Sequence, residues 1–259
     1  MKSLVVTADD FGLSPGVVEG IVEAHERGIV TSTSLMVNAP SAEAAFEEAR
    51  RLPSLATGLH FVLTFGRPAG PPEPLSRLLD EDGAFRKNGS GAHELARPGE
   101  VREELRAQLR AFEKGVGRPP THIDGHHHVH IHPGILRVAI EEAGRLGIPL
   151  RSTDREVRDR LRLERIRTCD RFLDGFFGDD VSEARLLSIL ESIPEGTSEL
   201  MCHPARPDGE LERVSSYVAP RNRELATLVS PRILDAIERL GLDLVPLSSL
   251  SGLTGPTGG

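Results

Sequence analysis

Short apolar runs at 3–8, 31–37, 56–63, 121–126, 148–152, 197–202 and 242–247 alternate with amphipathic stretches at 15–27, 41–51, 98–115, 133–145, 181–193 and 221–240. A run of this length that is apolar on both faces fits a strand covered on both sides. The stretches between are long enough to cross back over the sheet as helices, which parallel neighbours require. The pattern therefore predicts βα units around a parallel sheet. Seven or eight units would close into a distorted α/β barrel, with an open doubly wound sheet as the alternative. Punctuation agrees: Ser14-Pro15 reads as a helix start, and Gly28, Gly115 and Gly147 follow helical stretches. The pattern is weakest over 154–176, where a short helix and another strand would fit.

With 259 residues, one catalytic-size barrel over 1–250 is expected, followed by a mobile Gly- and Pro-rich tail at 251–259. Two excursions, at 67–97 and 205–220, are long enough to frame a site. The net charge of −8 lacks the basic footprint of a nucleic-acid partner. No run approaches the ~20 apolar residues of a membrane span. The chain reaches Asp9 and Asp10 too soon for a signal-peptide core, and two cysteines make no disulfide framework. A cytoplasmic protein is expected.

Polar residues interrupt the apolar runs at their C-terminal ends, where a parallel barrel collects its reactive groups. Asp9 and Asp10 end the first run; adjacent carboxylates there can divide metal binding from proton transfer, although Asp also suits a turn or a cap. His60 stands inside 56–63, where a lone histidine is more often a hydrogen-bonded core residue. Six of the ten histidines fall in Thr121-His122-Ile123-Asp124-Gly125-His126-His127-His128-Val129-His130-Ile131-His132. Pro119, Pro120, Gly125 and Pro133 disfavour a helix there, so the two-histidine helical zinc motif fails. In extended geometry the even-numbered residues of this run share one side, but ten residues of strand cover roughly 33 Å and cannot all reach one ion. A ligand is expected from Asp124, His126 or His128. Neutral imidazole with carboxylate suits zinc, and carboxylate with water also admits magnesium or manganese. His203 ends another run and has the chemistry of an acid or base near neutral pH, whereas Cys202 beside it points away in a regular strand.

Together these blocks resemble the YdjC-like carbohydrate deacetylase family. The likeness rests on Thr7-Ala8-Asp9-Asp10-Phe11-Gly12, Gly28-Ile29-Val30-Thr31-Ser32-Thr33-Ser34, Gly58-Leu59-His60-Phe61-Val62-Leu63-Thr64, the histidine run, and Met201-Cys202-His203-Pro204-Ala205. Ser216-Tyr217 and Pro220-Arg221 extend it, and Gly125 departs from the serine familiar before the triple histidine. The resemblance implies a barrel related to polysaccharide deacetylases. It also implies one divalent ion, magnesium or zinc, on Asp10, His60 and His126, with Asp9 as base and His203, as imidazolium, as acid. The implied partner is a small carbohydrate such as an N-acetylated chitooligosaccharide. Phe61, His128, Arg151, Tyr217 and Arg221 are candidate substrate contacts, and base rates for soluble enzymes favour a homodimer. The alternatives are a metal-dependent phosphoesterase on the same fold and a non-catalytic sugar-binding protein.

Overall fold

The computed structural model describes residues 1–87 and 96–252, with side chains through 250. Its centre is β1 (Lys2–Phe11), an apolar strand buried from Leu4 onward. On one side β1 pairs with β6 (Gly196–Cys202) from Lys2 to Ala8. On the other, its first residues pair with β7 (Leu242–Leu244) and its last with β2 (Ser32–Leu35). Beyond β2 lie β3 (Ala56–Phe61) and β4 (Ile123–Gly125), and beyond β6 lies β5 (Arg171–Leu173). Every one of these pairings is parallel, as the alternation requires.

The two edges curl toward each other. Leu150 bridges to Ile123 in parallel, and its amide donates to the Arg167 carbonyl at 3.0 Å. The Asp170 amide in turn donates to the Thr197 carbonyl at 2.8 Å, next to β6. The result is a seven-stranded sheet bent into a distorted barrel, the architecture expected, with the predicted strand at 148–152 reduced to a single bridge. The ambiguous 154–176 segment contains α5 (Arg155–Leu163) and β5.

The outer layer is formed by α1 (Pro15–Arg27), α2 (Ala42–Arg51), α3 (Pro98–Val116), α4 (Pro133–Leu146), α5, α6 (Glu183–Glu191) and α9 (Pro231–Arg239), with α7 (Gly209–Val214) and α8 (Ala219–Leu228) between β6 and α9. Ser14 caps α1, its hydroxyl accepting the Val17 amide at 3.3 Å. The single helix predicted over 221–240 is two, because Pro231 has no amide to donate and starts α9 instead. Gly147 ends α4 in the left-handed region as expected, but α3 ends at Gly117; Gly115 lies inside the helix against the Phe46 ring. Gly28 ends α1 without a left-handed turn.

Of the two predicted excursions, 67–87 contains a 3₁₀ turn at Glu73–Leu75 and an antiparallel bridge between Leu79 and Phe85, and 205–220 contains α7. The rest of the first, at 88–95, and the predicted tail beyond 252 fall outside the described residues. Among those described, no helix is long and apolar enough to cross a membrane.

Candidate metal centre

Successive side chains of a regular strand point to opposite faces, so Asp9 and Asp10 would ordinarily serve different sites. Here β1 is irregular: its register against β2 shifts between Ala8 and Phe11, and Asp10 adopts a left-handed φ of 68°. Asp tolerates that region better than most residues, and a bulge re-aims side chains. Both carboxylates consequently lie against His60, which β3 supplies.

Asp10 Oδ1 lies 2.9 Å from His126 Nδ1 and 3.4 Å from His60 Nε2, all three side chains being largely buried. One carboxylate and two imidazole nitrogens within 4.8 Å of one another form a hard–borderline donor set suited to a divalent ion such as zinc. Three protein donors leave room for water and a substrate oxygen. The remaining polar atoms of these side chains are themselves held. His60 Nδ1 bonds Asp124 Oδ1 at 2.7 Å, which orients the ring with Nε2 toward Asp10 Oδ1. Arg221 Nη2 donates to Asp10 Oδ2 at 2.6 Å. Register puts His60 beside Asp124, so the pairing of β3 with β4 assembles this contact directly.

Charge in the cluster favours the carboxylate at Asp10 and the protonated ring at His60. Burial disfavours the His60 imidazolium, yet the charge of Asp124 and the hydrogen bonds the ring donates to Asp10 and Asp124 outweigh it, lifting His60 to about 10. Burial would raise Asp10, but Arg221 and His126 hold its carboxyl well below the usual carboxylate range.

Behind the ligands, Ser34 donates to Asp124 Oδ2 at 2.6 Å, and its hydroxyl meets His122 Nε2 at 3.1 Å. The His122 ring fits only because residue 58 is glycine; a Cβ there would sit 2.4 Å from the ring. A second acid-and-histidine grouping, Asp9, His60 and Asp124, could in principle hold a cation. The guanidinium of Arg151 already fills that role. It grips both oxygens of Asp9 at 2.7 and 2.8 Å, Asp124 Oδ2 at 2.9 Å and Glu199 Oε1 at 2.9 Å, while 1% exposed.

His203 follows β6 and presents its ring to the same site. Its Nδ1 is buried and has no hydrogen-bond partner. Burial, with the nearby Arg221 charge, lowers it to about 4 against the opposing pull of Asp10 and Asp9. That direction favours the neutral ring in the ligand-free chain, whereas the expected acid role needs the ring protonated when the amine departs. Its backbone amide donates to Glu224, whose other oxygen accepts the Tyr217 hydroxyl at 2.6 Å. Burial pushes the Glu224 carboxyl up to about 7, against those hydrogen bonds.

Asp9, Asp10, His60, His126 and His203 thus come together, whereas the candidate substrate contacts divide. Phe61 is fully buried in the core and offers no surface to a sugar. Arg151 is consumed by its three carboxylates, and it positions Asp9 instead of reaching outward. Arg221 is buried too: Nη2 holds Asp10, Nε donates to the Tyr217 carbonyl at 2.7 Å, and Nη1 has no partner. Tyr217 is half-buried with its hydroxyl committed to Glu224 and the Gly178 amide. His128 is half-buried against Phe172, with ring centroids 5.6 Å apart. The sequence reading missed Glu199, Glu224, Ser34 and Phe177. Glu199 carried a signal, as a charged residue inside an apolar run.

Comparison with known proteins identifies the family. The sequence model of the YdjC-like protein family matches residues 3–239. A carbohydrate deacetylase of Geobacillus stearothermophilus is 43% identical over 242 residues, 93% of this chain and 95% of that one. A chitooligosaccharide deacetylase of Yersinia pestis is 40% identical over 249 residues, covering 94% and 97%. Among solved structures, an Enterococcus faecalis protein named for cellobiose-phosphate cleavage superposes with a TM-score of 0.90 at 39% identity, covering 96% of this chain and 98% of that one. A family 4 acetyl xylan esterase of Clostridium thermocellum, solved with a cobalt ion, shares the fold at a TM-score of 0.54 and 10% identity, with 96% and 90% covered. A match over nearly the whole chain, with relatives at this identity, places this chain in the YdjC-like protein family.

Proposed function

We propose that this chain is a hydrolase that removes N-acetyl groups from an acetylated amino sugar or short chitooligosaccharide, with one divalent ion on Asp10, His60 and His126. The observation that carries this reading is the meeting of those three donors at a strand end with Asp9 and His203 beside them. The names of the deacetylase relatives support the reaction class.

When bound, the ion supplies Lewis acidity to the acetyl carbonyl oxygen and lowers the pKa of a water. The remaining work falls to the chain. Asp9, its orientation fixed by the two-pronged grip of Arg151, accepts the proton of the attacking water at a carboxylate oxygen. His203, protonated in the reacting complex, delivers its proton to the sugar nitrogen as the C–N bond breaks; the proton taken by Asp9 then restores it, and the second water proton passes to solvent as acetate leaves. Water oxygen ends in acetate, and the nitrogen leaves as the amine. Arg221 and Asp124 keep Asp10 and His60 in place throughout.

The raised His60 pKa fixes the sign of a pH effect. Without an ion, the proton on His60 stabilises the fold fully below about pH 6.5, and that contribution is lost as pH rises through about 10. The ion must displace the same proton. Apparent metal affinity of the chelated chain is therefore expected to strengthen by about tenfold per pH unit between about pH 6 and 8, with about one proton released per ion. Calorimetric titration in buffers of different ionisation enthalpy measures both, and a flat affinity would remove His60 from the ligand set.

Acetate assay on a panel of N-acetylated and phosphorylated sugars tests the function itself. Acetate release restored by adding a divalent ion after chelation supports the proposal. Phosphate release instead would favour a phosphoesterase, and binding without turnover a sugar-binding protein.

A further inference from the structure

Three large hydrophobic side chains are exposed among the described residues: Met1, Leu163 and Phe177. Single exposed hydrophobics are common and by themselves mean little. Phe177 differs because of what it packs against. Its ring stacks on Tyr217, with centroids 4.2 Å apart and planes 22° apart, and meets the His203 ring at 5.3 Å. Tyr217 also packs edge-on to His203 at 5.8 Å. Three rings therefore form one wall, and Phe177, 48% exposed, is its most exposed member.

That wall is held rigidly. Phe176 is fully buried and anchors the segment from beneath. The Gly178 amide donates to the Tyr217 hydroxyl at 3.0 Å, and the same hydroxyl donates to buried Glu224. On the other flank, Arg185 Nε donates to the Gly175 carbonyl at 2.9 Å. An aromatic ring that is fixed before binding loses little entropy on contact, which makes it an efficient platform. An apolar ring face beside His203 suits a ligand that is polar at its edges and apolar on its face. A pyranose with equatorial hydroxyls has that character, since its axial C–H groups line up on the ring faces.

We propose that Phe177, backed by Tyr217, is the shelf on which the pyranose ring carrying the acetamido group stacks, next to His203. This inference rests on the deacetylase reading for the identity of the reacting group, but the stacking can be measured without turnover. The leaving nitrogen must come to His203, and a ring lying on Phe177 is the neighbour of His203 that the wall provides. The shelf sets the affinity for a gluco-configured ring and leaves the ion and the proton-transfer groups untouched.

Two variants test it. Phe177→Ala is expected to raise KM for N,N′-diacetylchitobiose about tenfold, with kcat within about twofold and one ion still bound per chain. Phe177→Trp is expected to keep KM near the unaltered value. The chain has no tryptophan, so this variant carries a single indole. Its emission should shift saturably when the ion-free protein is titrated with diacetylchitobiose, a condition that blocks turnover. An unchanged KM in Phe177→Ala overturns the shelf, as does a flat emission titration. If the unaltered chain releases no acetate from any sugar, the deacetylase reading falls, and the emission titration still decides for or against the shelf.

Discussion

His203→Ala is expected to slow acetate release by about 10²–10⁴-fold in kcat while leaving the bound ion in place. The ring contributes none of the three donors at Asp10, and its Nδ1 is a buried atom with no partner. That nitrogen has no hydrogen bond to lose, so beyond the ring's packing on Phe177 and Tyr217 its removal acts on the reaction. The loss should be steeper for an amide, whose nitrogen must be protonated to depart, than for an acetate ester with a good leaving group. Steady-state kinetics on both substrates, together with metal analysis, separate the outcomes. Loss of the ion would assign His203 to the metal, and equal losses on amide and ester would remove its role as acid.

Arg151→Met is expected to cost about 3–5 kcal/mol of stability, the scale for stripping one partner from a buried ion pair. The guanidinium is the common cation of Asp9, Asp124 and Glu199, and Met would fill much of its volume while leaving three buried carboxylates facing one another. For a chain of this size the melting temperature should fall by about 10 °C. Arg151→Lys should recover part of the stability and little of the activity, because an ammonium cannot grip both oxygens of Asp9 while reaching two other carboxylates. Denaturant titration gives the free energies. A Met variant as stable as the parent would mean that the carboxylates are not charged together, contrary to the network described.

The parallel βα plan was readable because burial on both faces imposes a simple apolar pattern, and that pattern survives in every long strand. The strand ends were readable for the same reason: Asp9, Asp10, His60 and His203 interrupt runs that are otherwise apolar. The backbone at those ends was not. Nothing local requires Asp10 to take a left-handed φ, which depends on the packing around β1. The histidine run shows the same limit more sharply. Strand alternation holds through Gly125, and then His127 and His128 turn left-handed at φ 53° and 55° within a 3₁₀ segment. The even-numbered histidines therefore do not share one side, and it is His126 that meets Asp10. Arg151 and Arg221 stood out as charges, but their partners Asp9 and Asp10 lie 142 and 211 residues away, beyond any local pattern. Phe177 gave no sign, since an aromatic in a polar loop reads as unremarkable until its neighbours are known.

Metal analysis of the dialysed protein, with His126→Ala alongside, tests the central claim most directly. One divalent ion per chain in the parent and none in the variant, with both folded by circular dichroism, is the result expected of a single ion shared by Asp10, His60 and His126. An ion retained by His126→Ala at parental affinity would contradict it.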